Sequence, residues 1–147
     1  MRVLFIGDIM GRPGRAAAAR MIPRLRAEFG GFDFVIANGE NSAAGFGLTE
    51  KVMHELFSAG IDVLTNGNHV WDKKDFVPML DSEPNVLSPA HPPKGTPGRG
   101  SARDEKNGDK LPVLCPHGRT LTPPPDRPLP AADATLAHHE APAPRSA

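Results

Sequence analysis

At 147 residues the chain has the size of one ordinary domain, long enough to bury a core without disulfides or other staples. A formal net charge of +0 excludes a broad basic field, so no strong nucleic-acid footprint and no anionic-membrane partner is expected. The single cysteine, Cys115, excludes an internal disulfide framework and a cysteine-rich zinc module, and suits a reducing compartment.

The opening MRVLFIGDIMGRPG is apolar for only a few residues before Asp8. A secretory signal needs a longer apolar run, and no stretch is long enough to span a membrane. A cytoplasmic protein is the expectation. RVLFI reads as a buried strand ending at Gly7. Pro13 suits the first turn of a helix, and GRAAAARMIPRLRAEF follows. Ala18, Met21, Ile22, Leu25 and Phe29 recur at helical spacing and predict a core-facing stripe. Pro23 predicts a kink or break, and Gly30–Gly31 an end.

FDFVIA reads as the second strand. Thr49 is placed to cap EKVMHELFSA, with Val52, Met53, Leu56 and Phe57 on one face. IDVLT reads as the third strand. Asp72 then predicts the cap of a short helix, KKDFVPML, with Trp71 and Phe76 as a hydrophobic staple and Lys73 and Lys74 in solvent. NVL, residues 85–87, reads as a fourth strand. This alternation predicts an α/β fold with a parallel sheet and right-handed crossovers. DEKNGDKLPVL suggests a hairpin around Asn107–Gly108. Beyond Cys115 the chain is proline-rich and lacks apolar periodicity, so a loosely structured, largely disordered tail is expected.

Three polar clusters follow the first three strands: GDIMGRPG, NGENSAAGFG and NGNHVWD. In a parallel sheet all three lie at the carboxyl edge, where ligands of open α/β sheets bind. Asp8, Glu40, Asn41, Asn68 and His69 converge there, with Asn38, Asn66 and Asp72 nearby. Taken singly, each has an ordinary reading: Asp8 as a turn cap, Asn-Gly as turn chemistry, His69 as a packed histidine. Their coincidence on one edge favours an oxygen-rich metal site suited to Mn²⁺, Fe or Mg²⁺, with Zn²⁺ as an alternative. GDIMGRPG does not match G-x-G-x-x-G or a P-loop, which places a nucleotide-binding Rossmann-like module last.

At these residues the sequence resembles the YmdB-type metallophosphoesterases, a branch of the calcineurin-like superfamily. The resemblance runs from Met1 to about Gly100, through GDIMGRPGR, NGENSAAGFGLTEK, NGNHVWDKK and GTPGRG. It implies a metallophosphoesterase-like α/β domain over residues 1–100 and a divergent tail over 101–147. It also implies two divalent metal ions, Mn or Fe first and Zn or Mg as alternatives, and a small phosphoester or 2′,3′-cyclic nucleotide substrate. Asp8 would hold the first metal, Glu40 would bridge both, and Asn41 and Asn68 would hold the second. His69 would protonate the leaving oxygen.

The sequence also departs from the family. Two later histidine motifs that complete the family's metal site are not found. His117, His138 and His139 stand in contexts that do not match. The family's RPAN reads SPAH, with Ser88 and His91, and proline enters the strand pair EKNGDKLPVLCPHGR. These departures imply a truncated or frame-shifted C-terminal half. A non-catalytic remnant that binds metal or nucleotide weakly and acts through a partner is the rival expectation. A sheet short of its cover also implies self-association, as a homo-oligomer.

Overall fold

The computed structural model describes residues 1–90 and 95–116, together with residues 132, 133 and 137. The elements run β1 (Val3–Asp8), α1 (Gly11–Phe29), β2 (Phe34–Asn38), α2 (Glu50–Ser58), β3 (Val63–Thr65), a 3₁₀ helix (Asn68–Trp71), α3 (Met79–Ser82), β4 (Val86–Leu87), β5 (Ser101–Lys106) and β6 (Asp109–Leu114). The first four strands form a parallel sheet in the order β1-β2-β3-β4. Among the described residues no helix is long and apolar enough to cross a membrane.

β2, β3 and β4 are apolar on both sides because both faces of the sheet are covered there. Val35, Ala37, Leu64 and Val86 point into one cluster with Ile22, Leu48, Met53 and Leu56. Ile36, Val63 and Leu87 point the other way, against Val113 and Cys115 of the hairpin arm. The hairpin turns at Asn107 and Gly108, whose φ values of 52° and 83° suit the two-residue turn that matches strand twist. Counting from that turn, Pro112 falls opposite Arg103 at a non-hydrogen-bonded pair, so its missing N–H removes no rung. The Cys115 N–H donates to Gly100 O at 2.8 Å and the Ala90 N–H to Cys115 O at 2.7 Å, tying the arm down. Residues 101–115 therefore pack with the sheet, although they lie beyond the division expected at residue 100. Most of the proline-rich tail, with His117, His138 and His139, falls outside the described residues, as does His91.

Cover is incomplete over β1. Val3 and Phe5 are exposed, Phe5 at 61 %. The outer edge of β1 has no strand partner among the described residues.

The helices show which sequence signals were decisive. Helix α1 passes through Pro23 without a break. The carbonyl that loses its partner there, on Ala19, belongs to an exposed residue, where water can take the missing bond. The helix is also held on both sides of the proline. Ala18 and Ile22 are buried, and the Arg26 guanidinium donates to Phe32 O at 3.1 Å and Gly60 O at 3.3 Å. Met21, expected in the core, is 40 % exposed, because the buried stripe of α1 is only as wide as Ala18 and Ile22. Met53 is fully buried.

Helix α2 starts as its sequence predicts. The Thr49 hydroxyl accepts from the Val52 N–H at 3.4 Å. Thr49→Ala is expected to lower stability by about 0.5–1 kcal/mol, the low end for caps because the bond is long. Urea unfolding should show a lower midpoint at unchanged slope.

The helix expected over 73–80 does not form as such. Pro78 has no N–H to close an α-helical bond, so the chain makes shorter steps: Phe76 N–H to Lys73 O at 2.9 Å, Met79 N–H to Phe76 O at 2.9 Å. Helix α3 begins only after Pro78. Asp72 is thus not its cap.

Candidate metal and active site

The site lies where β1, β2 and β3 end. Leu4 and Ile6 of β1 face the helices. Continued alternation would turn Asp8 the same way. Instead Ile6 pairs with Ala37 and Asp8 with Asn38, so Gly7 is an extra residue in β1. The bulge moves Asp8 onto the face carried by Ile36 and Asn38, a common use of a bulge beside a functional site. Asp8 then meets the second cluster directly: the Asn41 side-chain amide donates to Asp8 Oδ2 at 2.9 Å. The Gly11 N–H donates to Asn41 O at 2.9 Å and fixes the loop that carries it.

Glu40 joins the second cluster to the third. Its Oε2 accepts from the His69 backbone N–H at 3.3 Å, and its Oε1 lies 3.5 Å from Asn38 Nδ2. Its carboxylate rests on Gly67. A Cβ at Gly67 would come within 2.7 Å of Glu40 Cδ and closer still to both oxygens. The close approach at Gly67 is of the Glu40 side chain, which an added Cβ would displace; the backbone, at φ −112°, makes no demand for glycine. Glu40, Asn38 and Asn68 line one cavity of about 320 Å³ together with Phe5 and Cys115.

Asn66 is buried and structural. Its Nδ2 donates to Leu87 O at 2.9 Å, and this bond ties the β3 end to β4. Cys115 Sγ donates to Asn66 O at 2.9 Å. Burial, with the nearby Glu40 charge, pushes its thiol up to about 11, so it stays protonated at neutral pH.

The His69 ring does not face Glu40 through its Nδ1. That nitrogen lies 2.6 Å from Asp72 Oδ2. A carboxylate there selects the tautomer with the proton on Nδ1 and leaves Nε2 as the reactive atom. The sequence signal for this pair is the three-residue spacing within a tight helix, which competes with the commoner role of Asp before a helix, capping.

The set Asp8, Glu40, Asn41 and Asn68 offers two carboxylates and two carboxamides. Neither carboxylate has a Lys, Arg or His partner within ion-pair distance among the described residues. Such a donor set fits hard or borderline divalent cations. It is short for two ions, each of which wants about four to six ligands. No cluster of three or more His, Cys, Asp and Glu ligands occurs among the described residues.

The family model for YmdB-like proteins matches residues 4–145. The chain belongs to the YmdB-like family. The match continues past Gly100, where the motif resemblance thins, and takes in the hairpin arm. A Bacillus subtilis relative named 2′,3′-cyclic-nucleotide 2′-phosphodiesterase is 46 % identical over 137 residues, 93 % of this chain and 52 % of that protein. A putative phosphatase/phosphodiesterase of Mycoplasma genitalium is 34 % identical over 89 residues, 60 % of this chain and 31 % of that protein. Among solved structures, a hypothetical protein of Thermus thermophilus superposes with a TM-score of 0.85 at 43 % identity, over 93 % of this chain and 53 % of its own. A novel phosphatase from Mycoplasma pneumoniae superposes with a TM-score of 0.82 at 26 % identity, over 95 % of this chain and 52 % of its own. This YmdB-like chain spans about half the length of these longer relatives, or less.

Proposed function

We propose that this edge of the sheet is the N-terminal half of a metal-dependent phosphodiesterase site acting on small phosphoesters of the 2′,3′-cyclic nucleotide type. The observation that carries the reading is the seating of Glu40: a carboxylate held by N–H donors over a glycine, with Asp8 bonded to the neighbouring Asn41 and no cationic side chain paired with either carboxylate among the described residues. The Bacillus subtilis relative's name supports the substrate class.

In this reading Asp8, Glu40, Asn41 and Asn68 hold divalent cations, Mn²⁺ or Fe in first place. When bound, two such cations supply a nucleophile at neutral pH and offset the charge that develops on the phosphate oxygens. The chain's own residues do the rest. Asn41 fixes Asp8, and the His69 N–H fixes Glu40. His69, with its Nδ1–H held by Asp72, gives the second, Nε2 proton of its imidazolium form to the leaving ribose oxygen.

A second reading has its own support, the short donor set. In it the chain binds metal weakly and does not turn over substrate. Metal analysis and a hydrolysis assay separate the two. The hydrolase reading expects about two equivalents of Mn²⁺ and Mn²⁺-dependent opening of a 2′,3′-cyclic nucleotide. Weak uptake with no turnover under any divalent cation would establish the remnant.

A further inference from the structure

We propose that Trp71 is a positioning residue for the candidate site, and that the GTPGRG segment is the abutment it braces against. The consequence for chemistry rests on the hydrolase reading, since the turn that is braced carries Asn68 and His69. One bond makes the connection: the Trp71 indole Nε1–H donates to Pro97 O at 3.1 Å.

The 3₁₀ helix needs a brace because it is too short to hold itself. It spans four residues, Asn68–Trp71, and no side chain caps its start. Its own bonds are long, Val70 N–H to Gly67 O at 3.2 Å and Asp72 N–H to His69 O at 3.2 Å. A single turn fixes several dihedral angles for very few bonds, so it persists only where tertiary contacts support it. Two side chains supply them. Val70 is fully buried in the core on the helix side of the sheet. Trp71 packs its ring against the same core and places its N–H on Pro97. Just before these two anchors stand Asn68 and the His69 backbone N–H, which seats Glu40.

A brace works only against something fixed, and Pro97 lies in such a segment. The Gly98 N–H donates to Asp81 Oδ1 at 2.9 Å, and Arg99 Nη2 donates to Asp81 O at 2.8 Å. The Ser88 N–H, directly after β4, donates to Arg99 O at 2.9 Å. Gly98 also lies tight against Ser88. An added Cβ would meet Ser88 Oγ at 2.5 Å, and a φ of 109° favours glycine in any case. GTPGRG is thus tied to α3 and to the end of β4, and Trp71 passes that fixity to the third polar cluster. This gives a role in the site to a motif that contributes none of the candidate site residues.

The test uses the full chain and Trp71→Phe, which keeps an aromatic ring and removes the N–H. Amide hydrogen exchange is measured first in EDTA, so its result stands whether or not the chain hydrolyses anything. Exchange at Val70 and Asp72, the donors of the turn's own bonds, should quicken by about three- to tenfold, the equivalent of one neutral hydrogen bond. Val35 and Leu64 in the sheet should exchange at the parent rate. Asp81→Ala, which removes the acceptor for Gly98, should give the same pattern more weakly. Asp81→Asn, which keeps an oxygen there, should behave as the parent. Mn²⁺ affinity should fall in Trp71→Phe by a similar factor, because Asn68 and the N–H that seats Glu40 both ride on the turn. At saturating Mn²⁺, kcat should fall more on a 2′,3′-cyclic nucleotide than on an aryl phosphodiester. Exchange that quickens equally at every amide would make Trp71 a packing residue. Unchanged exchange at Val70 and Asp72, or local quickening with Mn²⁺ affinity intact, would also overturn the proposal, and none of these results touches the hydrolase reading. Local quickening with weakened Mn²⁺ binding and no turnover in the parent would sink the hydrolase reading and keep the brace.

Discussion

His69→Ala is expected to slow hydrolysis of a 2′,3′-cyclic nucleotide by about 10²–10⁴-fold, the range for losing a positioned general acid. The structure gives two reasons to expect a chemical rather than a structural effect. The bond that His69 makes to Glu40 comes from its backbone N–H, which alanine keeps. The side chain is 43 % exposed, so its removal opens no core cavity. Mn²⁺ uptake should therefore be unchanged. The role of the proton can be isolated with the leaving group. A ribose alkoxide needs protonation, whereas a nitrophenolate does not. The loss should be large on the cyclic nucleotide and small on an aryl phosphodiester. Asp72→Asn keeps the shape at Nδ1 and removes the carboxylate, so it should follow the same pattern with a smaller loss. Equal losses on both substrates would remove His69 from the proton-transfer role and leave it a packing or binding residue.

Most of the fold could be read in the sequence because its signals are local and repeated. Strands buried on both faces are short apolar runs, and Thr49 and Gly30 mark helix ends by their chemistry. The parallel sheet followed from the alternation of strands and helices. The turn at Asn107–Gly108 was equally legible. Misreadings arose where tertiary contacts outweigh a local rule. Pro23 stays helical because Ile22 and Arg26 anchor the helix around it. Met21 shares the helical spacing of Ile22, but the sheet covers a narrower stripe than the spacing suggested. The 73–80 segment carried a helical pattern and a cap, yet Pro78 has no N–H for the Lys74 carbonyl, and the chain takes i→i+3 steps instead.

The site was legible as residue types and not as geometry. Asp8, Glu40, Asn41, Asn68 and His69 stood out because three turns on one edge chose ligand-type side chains. Nothing in the sequence announced the bulge at Gly7 that turns Asp8 over, because a bulge is a property of two paired strands. The His69–Asp72 contact was hidden by a plausible alternative role for the same aspartate. Lys73, expected in solvent, lies over the Phe46 ring instead, a contact between side chains far apart in the sequence.

Gly67→Ala is the second substitution expected to have a large effect, and it tests the seat of Glu40. The added Cβ would stand 2.7 Å from Glu40 Cδ and nearer to its oxygens. One of the two must move. The backbone at 67 is tied on both sides, by the buried Asn66 amide to Leu87 O and by the Val70 N–H to Gly67 O at 3.2 Å. The carboxylate is the freer part, so it should swing away and lose the His69 N–H. Mn²⁺ affinity should fall by at least about tenfold, the scale of one lost charged ligand contact, and metal-dependent hydrolysis with it. Stability should hardly change. The φ of −112° carries no left-handed penalty for alanine, and the displaced group moves into an open cavity. The two residues act as one unit, which a double-mutant cycle can show. In a Glu40→Ala background the same Gly67→Ala change should cost no further affinity, because the group it displaces is already gone. Additive losses would mean that Gly67 matters for the course of the backbone and not for the carboxylate above it.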